Sequence, residues 1–551
     1  MFADAEQCYL AVQSADARFD GVFYTAVTST RIYCRPSCSA RTPRAENCRF
    51  FPSAAAAQLA GFRACKRCRP DTVPGAPEWQ SRSDIAARAV RLIADGLVDR
   101  DGVRGLAAAV GYSERQLNRV MHDALGAGPL ALARSQRAHN ARILIETTTM
   151  PFTEITYASG FSSIRQFNDT IREIYVATPT EMRSRRNASV DHRVGTDAVW
   201  VPGMLALQLA YRPPIALEQL LAFLGARSLP GIEQLDGMTL TRSLRLPNGN
   251  GVVQMRAGRS CADAVHGDSR RRSGSRTERI RSNTLDVSMQ LEDVRDLAPA
   301  VARVRRWFDL DADPVAIDEV LGRDPLLRAA VRVRPGMRVP GSVDATEMAV
   351  RAIVGQQVSV AGARTIVGRI VHRLGEPLSE RLAGRALGPV RPATNAGTNT
   401  ATSSGINARL LRLESEAGPA GGPLTDGSVV TSVFPSAAAI AEGDLTGVGM
   451  PTARIATVQR VCAAIAEGIV NLDAGADRAE VREQLLDLRG IGPWTADYLA
   501  MRALGDPDAF LPTDLGVRHA AAALGIDDIA AHAQRWRPWR AYGLMHLWAT
   551  L

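Results

Sequence analysis

The stretch 488–505, LRGIGPWTADYLAMRALG, decides how the back half of the chain folds. Gly490 and Gly492 interrupt sequence that otherwise reads as helix. A glycine hairpin between two helices turns backbone N–H groups outward, where they suit a phosphate. That pattern is a helix-hairpin-helix, although a plain helix corner accounts equally well for a lone Gly-Ile-Gly. Downstream, FLPTDLGVRH (510–519) places Asp514 22 residues after Gly492. An aspartate following Pro512-Thr513 is a natural helix N-cap. That position puts its carboxylate at a helix start.

The 551 residues exceed what one core organises, so three or four domains are expected. Lys and Arg number 66 against 57 Asp and Glu, a formal charge of +9. This favours a polyanionic partner but suits many soluble proteins as well. No apolar run approaches the roughly 18 to 20 residues that cross a bilayer, and MFADAEQCYL lacks the layout of a signal peptide. A cytoplasmic protein is expected. Eight cysteines are too few for a disulfide framework in a chain of this length, and four of them form two close pairs.

Those pairs, Cys34 with Cys38 and Cys65 with Cys68, are separated by 26 residues. Two such knuckles can bring four thiolates around one Zn²⁺, and most sites of this kind only clamp a fold. Short β-like runs such as GVFYTAV surround them. From about 83 to 187 the pattern is helical and repeats itself: LAAAVGYSERQLNRVM (106–121) is echoed by ITYASGFSSIRQFNDTI (155–171). Each copy has small or apolar residues, a glycine turn and a helix that starts with serine. This is the layout of a helix-turn-helix, with an ordinary helical hairpin as the bland alternative. Recognition helices are expected to begin near Ser113 and Ser162. They would present Glu114, Arg115, Asn118 and Arg119 in the first, and Ser163, Arg165, Gln166 and Asn168 in the second. Arg, Asn and Gln are the side chains that read base edges.

A third region, 199–296, reads as strands around an amphipathic helix, IALEQLLAFLGAR. It is interrupted at about 258–283 by a stretch with seven arginines and almost no large apolar residues, expected as a solvated loop. Beyond 297 the pattern is helical, apart from a Gly-, Ala-, Thr- and Ser-rich stretch at about 388–430 that cannot build a core.

Three resemblances bear on function. TSTRIYCRPSCSARTPRAENCRFF (28–51) with GFRACKRCRPD (61–71) resembles the Ada-type methyl-acceptor domain. The resemblance implies one Zn²⁺ on Cys34, Cys38, Cys65 and Cys68, with Cys34 also the nucleophile toward DNA methylphosphotriesters. It further implies phosphate contacts from Thr30, Arg41 and Arg63; Ser39 stands where the family has a basic residue, and Arg67 and Arg69 are basic neighbours by composition. The doubled GYS and GFS turns and the closing ATPTEMR (177–183) resemble an AraC-type regulator. Together with VRAIVGQQVSVAGARTI (350–366), LTGVGMPTARIATV (445–458) and RWRPWRAYGLMHLWA (535–549), the hairpin and Asp514 resemble an AlkA-type 3-methyladenine DNA glycosylase. That resemblance makes Asp514 the catalytic carboxylate, and Trp494, Tyr498 and Trp548 the base pocket. It also implies DNA contacts at Gly490, Gly492 and Gln357. Core packing is an equal alternative for Tyr498.

Two positions depart from the family: Gln357 replaces an apolar wedge and Leu515 an aromatic residue. Related enzymes that also nick DNA carry lysine where this chain has Trp494, so hydrolysis without nicking is implied. No Pro-Cys-His motif surrounds Cys8, Cys48, Cys261 or Cys462, so an O6-methylguanine acceptor is not expected.

The expected architecture is multidomain α+β. It comprises a zinc α/β module (1–78), an all-α double helix-turn-helix (83–187), an α+β, TBP-like part (199–296) and an all-α helix-hairpin-helix core (297–551). The expected partners are double-stranded DNA, both alkylated and promoter, and RNA polymerase. The rival reading is a transcription factor with a structural or redox zinc site and a silent glycosylase fold.

Overall fold

A computed structural model describes residues 5–70, 84–190, 204–257, 283–383, 430–473 and 475–549. The arginine-rich stretch and nearly all of the low-complexity stretch lie outside the described residues.

The front module is a four-stranded sheet with order β3-β1-β2-β4. Its strands are β1 (Tyr24–Val27), β2 (Ile32–Cys34), β3 (Cys48–Phe51) and β4 (Arg63–Ala64). β1 pairs antiparallel with β2 and β3, and β4 joins β2 in parallel. This register sets the chain leaving β2 beside the chain leaving β4, and the two cysteine pairs follow those ends.

Behind it come the two helix pairs. Ser113 caps the helix Glu114–Leu125 with a full capping box to Gln116, and Leu117 and Met121 are its buried face. The second helix starts one residue later than expected. Ser163 accepts the Gln166 N–H as the N-cap of Ile164–Tyr175, while Ser162 binds the Gln166 side chain. Gly111 and Gly160 take φ of +79° and +87° in the two turns, a backbone that a residue with Cβ adopts only under strain. The 19-residue helix Pro129–Thr147 spans between the two pairs.

A five-stranded antiparallel sheet follows, with order β5-β9-β8-β7-β6. Its strands are β5 (Met204–Ala210), β6 (Glu233–Asp236), β7 (Thr239–Leu246), β8 (Gly249–Ala257) and β9 (Thr284–Leu291). Leu205, Leu207 and Leu209 lie opposite Met289, Val287 and Leu285, and all six are buried, the period-two pattern of a sheet with one packed face. Helix Leu217–Ala226 lays Leu217, Leu220, Leu221 and Leu224 into the same core.

The remaining helices form two cores of their own. Helix Ala345–Val354 is tied to the sheet by a buried ring of four charges. Arg242 pairs with Glu233 at 2.8 Å and with Glu347 at 2.7 Å, and Arg351 pairs with Glu233 at 2.6 Å and with Glu347 at 2.7 Å. Burial alone would raise the Glu347 carboxyl, but the two guanidiniums more than offset it and hold it below the usual range.

The parts are not strung as independent beads. One apolar cluster runs from Tyr33 and Phe62 of the front sheet, through Phe161 and Phe167 of the second helix pair, to Leu207 and Met289 of the five-stranded sheet. The first helix pair has a separate core. It is fastened to the back half by Arg88, which donates to the Gly475 carbonyl and lies 3.4 Å from Asp477, and by Asp95 at 3.7 Å from both Arg303 and Arg306. No helix among the described residues is long and apolar enough to cross a membrane.

Candidate active sites

The sulfurs of Cys34, Cys38, Cys65 and Cys68 all lie within 4.8 Å of one another. Four sulfurs around one zinc at about 2.3 Å stand roughly 3.8 Å apart, so the residues present fit a tetrahedral ion with slight contraction. Hydrogen bonding, first to Cys38, pushes the Cys34 thiol up, and hydrogen bonding, first to Cys34, pulls Cys65 down. Four neighbouring thiolates repel, and a divalent cation is what lets all of them be anions together. Cys65 and Cys68 are buried, whereas Cys34 and Cys38 are half-buried. The first pair is therefore the more exposed of the two.

Around the cluster, Thr30 and Arg41 are exposed, and the Arg63 guanidinium reaches the Thr30 carbonyl at 3.5 Å. Arg67 reaches the Ser39 carbonyl at 3.5 Å. Arg69, a basic neighbour by composition, is instead ion-paired with Glu146 of the long helix and serves the packing of the two parts. On the helices Glu114–Leu125 and Ile164–Tyr175, Glu114, Arg115, Asn118, Arg119, Arg165 and Gln166 are exposed, while Ser163, the N-cap of the second, and Asn168 are half-buried.

In the back half, Gly490 has φ of +98°, and a Cβ there would stand 2.3 Å from Thr457 Oγ1. Glycine is thus required twice over, by backbone and by neighbour. A Cβ on Gly492 would meet open space. Among the described residues, no backbone hydrogen bond takes up the N–H of either glycine. Gly492 precedes helix Pro493–Arg502, whose N-terminus adds its dipole at the same place.

Asp514 is the N-cap of helix Leu515–Ala523 and accepts the Val517 N–H at 3.1 Å. Its carboxylate also accepts two indole N–H groups, from Trp494 at 3.1 Å and from Trp548 at 2.9 Å. The N-cap expected from Pro512-Thr513 is present. Trp494 stacks on Tyr498 with ring centres 5.2 Å apart and planes at 11°. Tyr498 is half-buried and touches both helical cores, so it is neither wholly core nor wholly free. Gln357 is exposed in the loop between two helices, with φ of +57°. Gln356 beside it donates to Thr495 at 2.7 Å, which joins that loop to the helix carrying Trp494.

Two neighbours of this site escaped the sequence reading. Phe223, from the helix on the five-stranded sheet, stacks on Trp548 at 6.2 Å and 17°. Arg502 is buried, donates to the Tyr498 hydroxyl at 2.9 Å and stands 5.1 Å from the Phe223 ring centre. Burial holds its guanidinium below the usual range. Arg502 lies four residues after Tyr498 on one helix, a spacing that could have flagged it. Phe223 comes from another part of the chain, and no local pattern points to it.

Comparison with known proteins bears on each part. Residues 7–71 match the metal binding domain of Ada, residues 106–185 a helix-turn-helix domain family, and residues 206–344 the AlkA N-terminal domain. The chain is 45% identical over 555 residues to the "Probable bifunctional transcriptional activator/DNA repair enzyme AlkA" of Mycobacterium tuberculosis, covering 100% of this chain and 97% of that protein. It is 29% identical over 347 residues to "DNA-3-methyladenine glycosylase 2" of Escherichia coli, covering 62% of this chain and 96% of that protein. It is 37% identical over 156 residues to "Regulatory protein ada" of Salmonella typhimurium, covering 28% of this chain and 42% of that protein.

Proposed function

The chain belongs to the family of bifunctional transcriptional activator/DNA repair enzymes that join an Ada-type front to an AlkA-type glycosylase, and from that premise we propose how its residues divide the work. Its function is DNA alkylation repair together with regulation of transcription. One Zn²⁺ is held by Cys34, Cys38, Cys65 and Cys68. When bound, it keeps the sulfurs anionic at neutral pH.

Cys34 is the methyl acceptor. Its sulfur attacks the methyl carbon of a methylphosphotriester. The S–C bond forms as the C–O bond breaks, and the phosphate oxygen keeps the electron pair and regains its charge. A thioether has no ready leaving group, so each chain acts once. Four thiolates on a dication carry a formal −2, and methylation leaves −1, so repulsion of DNA phosphates falls and affinity rises. Thr30, Arg41 and Arg63 hold the backbone phosphates. The two recognition helices read promoter DNA, and RNA polymerase is the partner at the promoter.

The back half removes alkylated bases of the 3-methyladenine class. The free N–H groups of Gly490 and Gly492 grip a phosphate, and Gln357 fills the space the base leaves. The extruded base enters beside Trp494, Tyr498 and Trp548, whose electron-rich faces attract a cationic purine. Asp514 faces the sugar and stabilises the positive charge that builds as the C–N bond breaks. The observation that carries this reading is the Asp514 carboxylate pinned by two tryptophan indoles and a helix N-terminus. With Trp494 in place of a lysine, no amine is available for a Schiff base, and water is the nucleophile. The parts are bounded at 1–78, 83–187, 199–296 and 297–551, and the five-stranded sheet is the TBP-like element.

Two measurements test this. Mass spectrometry after exposure to methylphosphotriester DNA finds one methyl, on Cys34; a methyl on another cysteine overturns the assignment. Incubation with methylated duplex releases free 3-methyladenine and leaves intact abasic strands. Failure to release any alkylated base overturns the glycosylase reading.

A further inference from the structure

The zinc knuckle and the glycosylase half meet at a buried contact that a chain holding only one of them cannot make. Ser37 and Arg35, both 8% exposed, lie between Cys34 and Cys38, and their turn is closed by the Cys38 N–H donating to the Arg35 carbonyl at 3.1 Å. Asp20, from the loop before β1, reaches into the middle of this turn. Its carboxylate accepts the Ser37 N–H at 2.9 Å and the Ser37 hydroxyl at 2.5 Å, and stands 3.5 Å from the Arg35 guanidinium.

The Asp20 backbone is held in turn from the other half. Arg212, 5% exposed and two residues beyond β5, donates to the Asp20 carbonyl at 2.8 Å and to the Asp311 carbonyl at 2.8 Å. The Arg212 carbonyl accepts Arg338, whose guanidinium also donates to the Asp309 and Ala312 carbonyls at 3.2 Å each. The knuckle therefore rests on the framework of the glycosylase half through two consecutive buried contacts.

We propose that Asp20 is a positioning residue for methyl transfer, setting the Cys34 sulfur in line with the DNA phosphotriester, and that Arg212 seats it from the glycosylase half. The inference rests on the reading of Cys34 as the acceptor. In-line attack tolerates little sideways error, and a misplacement of about 1 Å costs on the order of 100-fold in rate. A turn that carries a nucleophile and is gripped at its centre by three polar contacts is restrained in this way. Zinc holds the Cys34 and Cys38 sulfurs, but metal–sulfur bonds at the two ends of the turn leave its orientation against a long duplex unset.

The test uses the full-length zinc-loaded protein with Asp20→Asn, Ser37→Ala and Arg212→Gln. Four quantities are read: bound zinc, alkylation of Cys34 by methyl iodide, methyl transfer from methylphosphotriester DNA, and release of 3-methyladenine. Methyl iodide needs no alignment with a duplex and so reports thiolate reactivity alone. The expected result is transfer from DNA slowed at least tenfold in Asp20→Asn and severalfold in the other two, with the remaining three quantities kept. Transfer from DNA at the wild-type rate in all three variants overturns the proposal. So does a parallel loss of zinc or of methyl iodide reactivity, which would make Asp20 a folding clamp. If wild-type protein takes no methyl on Cys34, it is the acceptor assignment that has failed, an outcome separate from these.

Discussion

Replacing Asp514 by Asn changes one atom, yet it should disturb the glycosylase half twice. The carboxylate accepts three N–H groups, from Trp494, Trp548 and Val517. An Asn amide oxygen can accept two of these, and its NH₂ group must then face a donor. One unmet N–H at this half-buried place costs about 1 kcal/mol of stability, the low end of the penalty for a buried donor. The larger effect falls on the reaction. A full negative charge about 4 Å from a cationic sugar, at an effective dielectric of about 20, is worth roughly 4 kcal/mol, or about 10³-fold in rate. Single-turnover release of 3-methyladenine from methylated duplex measures the rate, and thermal melting with the affinity for an abasic duplex shows that the variant is folded. Trp494→Phe separates the terms, since it removes one hydrogen bond and leaves the charge, and it should slow release less than Asp514→Asn does. Release by folded Asp514→Asn within threefold of wild type would refute the electrostatic argument.

Gly490→Ala should lose about 1–3 kcal/mol of stability and weaken duplex binding, because its φ of +98° and the Thr457 hydroxyl both reject a methyl group; unchanged melting and binding would show that the hairpin relaxes freely. His546 is fully buried with no hydrogen-bond partner at either ring nitrogen among the described residues, and burial, helped by the charge of Arg334, lowers its pKa to about 4. A folded pKa below the unfolded value of about 6.5 favours the neutral ring, so stability holds above pH 6.5 and declines as pH falls toward 4, by about 3 kcal/mol in all. Urea unfolding at pH 7.5, 5.5 and 4.5 should show this decline, and His546→Phe should flatten it. Borohydride reduction during turnover should trap no covalent adduct with abasic DNA, because Trp494 offers no amine; a trapped adduct would contradict hydrolysis without nicking.

Local sequence was enough for the features carried by residue spacing, helix caps and turns. The spacing of the two cysteine pairs anticipated a cluster whose sulfurs meet within 4.8 Å. Serine caps and glycine turns anticipated both helix pairs, with a one-residue error at Ser162, where two adjacent serines offered the same cap. The reading of 199–296 as strands around an amphipathic helix anticipated the five-stranded sheet and the helix Leu217–Ala226.

Tertiary structure decided what depends on residues meeting from distant parts of the chain. Asp514 could be placed at a helix start from Pro512-Thr513, but the indoles that hold it come from 20 residues before and 34 after. Phe223 backs Trp548 only because the five-stranded sheet docks on the helical core, and Arg212 reaches Asp20 across 192 positions. Arg69 looked available for DNA by composition, yet packing gives it to Glu146. Side-chain type and spacing are properties of neighbouring residues and are written locally. Which carboxylate is gripped, and by which donors, follows from how separately formed surfaces exclude water together, and no local stretch encodes that.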